Sequence, residues 1–203
     1  MRHALIALTL CSALFAQSRP TLLKPASLNA KAPDVFMVQL ETSKGNITMR
    51  IDRSLAPNGV DRFYNLVKAG FYDNNYFFRC LDFMVQTGIN SKPEISRVWG
   101  KETIPDDPVK ETNRRGTVSM AAGSSPNSRV TQFFINRINN ERLDPLGFAP
   151  LGEVIEGMDV VDAIYSGYGD DPDQVQLASQ GQAYLNRYFP RMDRIVRATI
   201  LPR

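Results

Sequence analysis

Tyr76-Phe77-Phe78-Arg79-Cys80-Leu81-Asp82-Phe83-Met84-Val85-Gln86 is the stretch on which the reading of this chain turns. It is apolar and aromatic, lies between Asn74-Asn75 and Gly88, and carries one cation in its middle. Aromatic and β-branched residues bounded by turn formers predict a strand or a strand pair. An arginine in such a place is costly to bury unless it has a partner or a function. The plain alternative is an edge-strand arginine with its stem on apolar neighbours and its head in water.

Working outward, Phe36, Val38 and Leu40 alternate, Ser43-Lys44-Gly45-Asn46 turns, and Ile47, Met49 and Ile51 alternate back, which predicts a hairpin. Ala56-Pro57-Asn58 opens a helix with proline in its first turn, Val60, Phe63, Leu66 and Val67 recur at helical spacing, and Gly70 ends it. Residues 87–115 are polar, carry the single tryptophan, Trp99, and read as a long loop. Thr117 to Ala121 and Thr131 to Ile135 have strand character, with turn chemistry in Gly123 to Ser128 between them. Met158, Val161 and Ile164 predict a second helix, Gln182 to Tyr188 a short one, and Ile195 to Leu201 a closing strand. Short strands with few helices and no βαβ rhythm indicate an all-β barrel, with the 168–190 tail packed on it.

The full chain has 203 residues and a net charge of +3, which suits one domain and gives no basic run for nucleic acid. Met1-Arg2-His3 and the apolar run from Ala4 to Phe15 resemble a signal peptide, shorter than the ~20 residues of a membrane span. A leader over 1–16 leaves a mature start near Gln17, with 17–33 as a flexible lead-in, a domain over 34–203, and an exported, extracytoplasmic protein. The only histidine is His3 and one of the two cysteines is Cys11, both inside that leader. A mature chain without histidine runs no Ser-His-Asp or Cys-His mechanism and lacks the commonest metal ligand. No metal or other cofactor is expected.

Three ordered motifs carry more. Phe77-Phe78-Arg79 and, after three intervening residues, Phe83-Met84-Val85-Gln86 are followed by Gly116 to Ala121 leading to Gln132-Phe133-Phe134-Ile135-Asn136. Leu143-Asp144 and Gly147-Phe148-Ala149-Pro150-Leu151-Gly152-Glu153 come next. Together these resemble the cyclophilins, the family of peptidyl-prolyl cis-trans isomerases. The resemblance implies a closed eight-stranded antiparallel barrel capped by two α-helices. It implies Arg79 and Gln86 as the catalytic pair, and Phe83, Met84, Phe134, Leu143 and Phe148 around a proline pocket. Ala121 and Gln132 would line the adjoining peptide groove, and Phe133 would face the core. The implied partners are proline-containing polypeptides, bound by a monomer without nucleic acid or membrane insertion.

The chemistry agrees with that assignment. Rotation about an Xaa–Pro bond crosses a barrier of ~18–20 kcal/mol set by amide resonance, and needs neither nucleophile nor metal. A charged donor that prefers the twisted amide suffices, and arginine is always charged. The chain departs from the family pattern in several places. Three residues, Cys80-Leu81-Asp82, separate Arg79 from Phe83 where the family usually has four, so the deletion is expected in the turn rather than in a strand. Phe78, Ala122, Arg142 and Phe148 stand where histidine, asparagine, tryptophan and histidine are usual. A cyclophilin-fold chaperone or binding module with little catalysis is the alternative, and it holds if the shortened turn swings Arg79 out of the pocket.

Overall fold

The computed structural model describes residues 22–202. Eight strands form one antiparallel sheet: β1 Val35–Thr42, β2 Gly45–Asp52, β3 Arg79–Leu81, β4 Met84–Thr87, β5 Thr117–Met120, β6 Phe133–Asn136, β7 Pro150–Glu156 and β8 Ile195–Ile200. Their order across the sheet is β3-β4-β6-β5-β7-β2-β1-β8. In β1 and β2 the alternation does what period-2 patterning demands. Phe36, Val38, Leu40, Ile47, Met49 and Ile51 are all buried, and the Thr42↔Gly45 register leaves Ser43-Lys44 as a two-residue turn.

The sheet curls into a half-barrel and does not close, which corrects the expected closed barrel. Its end strands β3 and β8 share no ladder. The segments just before them meet at a single bridge, Tyr76 with Arg194, flanked by Phe77 N donating to Asp193 O at 3.0 Å and Ile195 N to Asn75 O at 2.8 Å. The reason lies at the outer edge of β3, where Cys80 N donates to Gly169 O at 2.9 Å. The tail takes up the edge that closure would have used.

Helix α1, Pro57–Ala69, fills the open side of the sheet with Val60, Phe63, Leu66 and Val67, and Gly70 ends it in the left-handed region at φ 74°. Phe63 meets Phe133 edge to face with ring centroids 5.2 Å apart. No side chain at Ala56 caps this helix; Asp107 does so from the distant loop, accepting from Asn58 N at 3.0 Å and Gly59 N at 2.7 Å. Asp107 is therefore structural, while Asp106 pairs with Arg129.

Five α-helices stand among the described residues, three of them at the expected places (α1, the helix from Met158, and the short one over Gln182–Tyr188) and two in addition. The loop assigned to 87–115 contains α2, Pro93–Trp99, with proline in its first turn and Ile95 and Trp99 buried. Trp99 packs edge to face on Phe71 at 5.7 Å and donates from Nε1 to Leu22 O at 2.8 Å. The second predicted helix is the short α3, Met158–Ala163. The predicted short helix is α5, Gln182–Tyr188, and α4, Gln174–Gln180, precedes it; the two make up much of the tail. The lead-in is held along α1 over its described part: Ala30 N donates to Asn65 Oδ1 at 3.1 Å, Asn65 Nδ2 to Ala30 O at 2.7 Å, and Ala32 N to Asp61 Oδ1 at 2.9 Å. The expected leader at 1–16 lies outside the described residues.

The tail builds its own apolar cluster. Leu177, Tyr184, Leu185 and Met192 bury Tyr76, Phe78 and Ile89, with Tyr168 and Phe189 packed on the outside. Phe78 stands beside Arg79 and is almost fully buried there. The aromatic residue at a position where the family usually has histidine is thus the anchor for the tail. Leu185→Ala is expected to lower stability by about 2–5 kcal/mol through the cavity it leaves. Urea unfolding checks this: the midpoint should fall with unchanged slope, whereas a loosely resting tail would leave the midpoint in place.

Candidate functional site

The β3–β4 hairpin is the frame of the site. Its register pairs Arg79 with Gln86, Cys80 with Val85 and Leu81 with Met84, so Asp82-Phe83 is the whole connection. The connection is thus a two-residue turn, and the pairing on both sides keeps strand parity. Directly opposed residues share a face of a sheet. Arg79 Nη1 accordingly donates to Gln86 Oε1 at 3.3 Å, and Gln86 Nε2 donates to Gln132 Oε1 at 2.7 Å. Arg79 is half-buried and has no carboxylate partner among the described residues, so its charge faces the hollow unneutralised.

That hollow has a volume of about 380 Å³ and is lined by all nine residues singled out in the sequence: Arg79, Phe83, Met84, Gln86, Ala121, Gln132, Phe134, Leu143 and Phe148. They come from five separate pieces of chain. Phe134 sits on β6 facing the cavity, while its neighbour Phe133 faces the core against Phe63 and Tyr72, as strand alternation requires. Phe148 meets Phe134 edge to face at 5.7 Å. Leu143 comes from the 3₁₀ turn Glu141–Leu146, which Gly147 ends at φ 81°. Arg142, in the same turn, lays its guanidinium over the Phe83 ring at 4.6 Å, outside the cavity lining.

Sequence reasoning missed the rest of the wall. Ala122, Gly123, Ser128 and Val130 belong to the turn between β5 and β6, and their nearness to Ala121 was the available signal. Gln174 also lines the cavity, brought there by α4 from far along the chain, and no local pattern announces it.

A buried polar network holds the cavity in shape. Asn140 Nδ2 donates to Phe83 O at 2.9 Å and to Asn136 Oδ1 at 2.7 Å, and Arg137 N donates to Phe83 O at 2.9 Å. Asn113 Nδ2 donates to Phe148 O and to Asp144 Oδ1, each at 2.7 Å, while Ser119 Oγ donates to Asn113 Oδ1 at 2.9 Å. Three wall residues are thereby tied through their backbones: Phe83, Phe148, and Leu143, whose N–H reaches Asn140 O at 2.8 Å. These bonds restrict the wall to few arrangements, because losing any of them would leave a further desolvated polar atom in addition to Asn140 Oδ1 and Arg137 Nε, which are buried without a partner. Arg129 adds a further tie: it donates to Gly147 O and Asp106 and lies 5.7 Å from the Phe148 ring.

Residues 37–181 match the family model described as cyclophilin type peptidyl-prolyl cis-trans isomerase/CLD. Over 138 residues the chain is 41% identical to peptidyl-prolyl cis-trans isomerase A of Dickeya dadantii, covering 63% of this chain and 70% of that protein. It is 36% identical over 137 residues to peptidyl-prolyl cis-trans isomerase B of Escherichia coli, covering 63% and 83% respectively. A crystal structure of a cyclophilin type isomerase of Cryptosporidium parvum, in the presence of the dipeptide Ala-Pro, superposes with a TM-score of 0.59 at 21% identity. That likeness covers 82% of this chain and 99% of the other, and it concerns the fold.

Cys80 lies between Arg79 and Leu81 but points to the core side of β3. Burial pushes its thiol up to about 12, opposed by the nearby Arg137 cation. The thiolate is the reactive form, so the folded protein should resist labelling at mildly alkaline pH. In a Cys11→Ser background, a thiol-reactive chromophore should read no fast-reacting sulfhydryl until denaturant is added. Prompt labelling of the native protein would show that Cys80 is reachable in the fold.

Proposed function

The chain belongs to the cyclophilin-type peptidyl-prolyl cis-trans isomerases, and from that premise we propose that Arg79, positioned by Gln86, stabilises the twisted Xaa–Pro amide above an apolar pocket. The enzyme is a peptidyl-prolyl isomerase. The observation that carries the assignment of roles is the uncompensated Arg79 guanidinium at the rim of a cavity whose floor is Phe83, Met84, Phe134, Leu143 and Phe148.

The steps follow from the geometry. The proline ring of a polypeptide enters the apolar cavity, where burial of its methylenes contributes at about 25 cal/mol per Å² of apolar area. Ala121 and Gln132 flank the ring's main chain in the adjoining groove. As the amide twists, conjugation is lost and the nitrogen becomes pyramidal, with its lone pair free to accept. The second N–H set of Arg79, left over from the bond to Gln86, donates to that nitrogen. Donation is strongest when the amide is perpendicular and weak in either planar form, so it lowers the barrier rather than only tightening binding. No bond is made or broken, and no proton changes place. The Ala-Pro dipeptide present with the Cryptosporidium parvum protein supports proline-containing chains as the substrate class.

Exchange NMR on an Xaa–Pro peptide tests the assignment. The intact protein should bring exchange, uncatalysed over tens of seconds or longer, into an easily measured range. Arg79→Ala should lower the catalysed rate about a hundredfold or more, the order seen when one preorganised donor is removed. Peptide binding by the intact protein without catalysis would instead favour the binding-module alternative.

We further propose that this monomeric isomerase works outside the cytoplasm, assisting proteins that fold there. The basic start, apolar run and small residue at Ala16 support an export leader. Among the described residues no helix is long and apolar enough to cross a membrane. Expression in a bacterial host should yield a chain whose intact mass begins near Gln17 in the extracytoplasmic fraction; an uncleaved chain retained in the cytoplasm would overturn the localisation.

A further inference from the structure

Most polar side chains around the proline cavity already serve one another. Arg79 donates to Gln86, Gln86 donates to Gln132, and the Ser128 hydroxyl accepts from Gly123 N. The wall formed by Ala121, Ala122 and Gly123 offers no side-chain donor or acceptor. Gln174 is different. It lines the same cavity, is exposed, and its amide has no hydrogen-bond partner among the described residues.

The backbone that carries this amide is also held in a fixed place. Gln174 is the first residue of α4, which Asp173 caps by accepting from Gln176 N at 2.8 Å. Asp173 N in turn donates to the Tyr184 hydroxyl at 3.0 Å, and Leu177 is buried with Tyr184 and Leu185 against Phe78. The same cluster that seats the tail next to β3 therefore sets the position of Gln174 relative to Arg79.

A second hollow of about 460 Å³ adjoins the first between α2 and α4, with Phe71, Ile89 and Trp99 among its lining. The two hollows share Val130, Gln132 and Gln174. A polypeptide that leaves the proline cavity over Gln132 toward the second hollow passes Gln174 on the way. Each of its residues carries a main-chain N–H and C=O that loses water on binding and needs a partner. A free glutamine amide supplies two donors and an acceptor.

We propose that Gln174 is a substrate-binding residue of this isomerase, hydrogen-bonding the main chain of the segment that leads away from the proline and thereby favouring extended polypeptides over short peptides. This rests on the reading of the cavity as the isomerase site. Exchange NMR would compare wild type with Gln174→Ala on a blocked Ala-Pro dipeptide and on a longer peptide with a central proline. The variant should keep wild-type rates on the dipeptide. On the longer peptide its kcat/KM should fall about five-fold through KM, the size of one hydrogen bond of about 1 kcal/mol. In parallel, the side-chain amide resonance of residue 174, identified by its loss in the variant, should shift on titration with the longer peptide. An equal loss on both peptides, or no loss and no shift with the longer one, overturns the proposal. If wild type turned over neither peptide, the isomerase reading would fail by itself, and the amide titration alone would decide whether Gln174 meets the chain.

Discussion

The pairing of Arg79 with Gln86 across a two-residue turn is the constraint on which the site depends. A hairpin allows side chains to meet only in matched pairs, so a connection of the wrong parity would send Arg79 to the opposite face from Gln86. With Asp82-Phe83 as the entire turn, the guanidinium and the amide share the cavity face, and Phe83 drops from the turn into the apolar wall. Losing a residue from the turn is tolerable because the turn is not pleated. The same loss inside β3 or β4 would have separated the cation from the pocket.

The buried network fixes this short turn against the rest of the site. The Phe83 carbonyl accepts from both Asn140 Nδ2 and Arg137 N, and the Leu81 carbonyl accepts from Arg137 Nη1 at 3.2 Å. The same asparagines tie Leu143 and Phe148 to the opposite side of the cavity. The apolar surface that receives proline is thus shaped by polar atoms behind it. An apolar pocket packed only by dispersion would tolerate several arrangements at similar energy, whereas directional hydrogen bonds behind it penalise most of them.

The tail has a corresponding part at the sheet's edge. In this chain the edge of β3 is covered by the segment around Gly169 and by the cluster built on Phe78, Leu177, Tyr184 and Leu185. An uncovered short edge strand frays readily and offers unpaired backbone to other chains. Covering it steadies the strand that carries Arg79 and, through α4, brings Gln174 to the same cavity. Phe78 belongs to that arrangement, since a charged or strongly polar ring there would lose its water beneath the tail.

The strand and helix signals with local causes were legible in the residues themselves. Alternation in β1 and β2, the proline-to-glycine frame of α1 and the spacing of α5 each come from contacts a few residues apart, which one sequence records. The nine cavity residues were legible only through resemblance to a family, and the structure gathers them around one hollow. What the sequence left undecided depends on partners distant along the chain. Asp107 caps a helix that begins at Pro57, Gly169 occupies the edge that would have closed the barrel, α2 hides in a polar stretch, and Gln174 reaches the cavity from the tail. The sequence by itself determined the first hairpin, the strands near 117–121, 131–135 and 195–201, and the strand character of the stretch around Arg79, because pleat and turn chemistry are local, while β7 was not legible. Tertiary structure decided the open half-barrel and the full wall of the site, because those follow from which distant segment reaches a free backbone edge and buries its apolar face there.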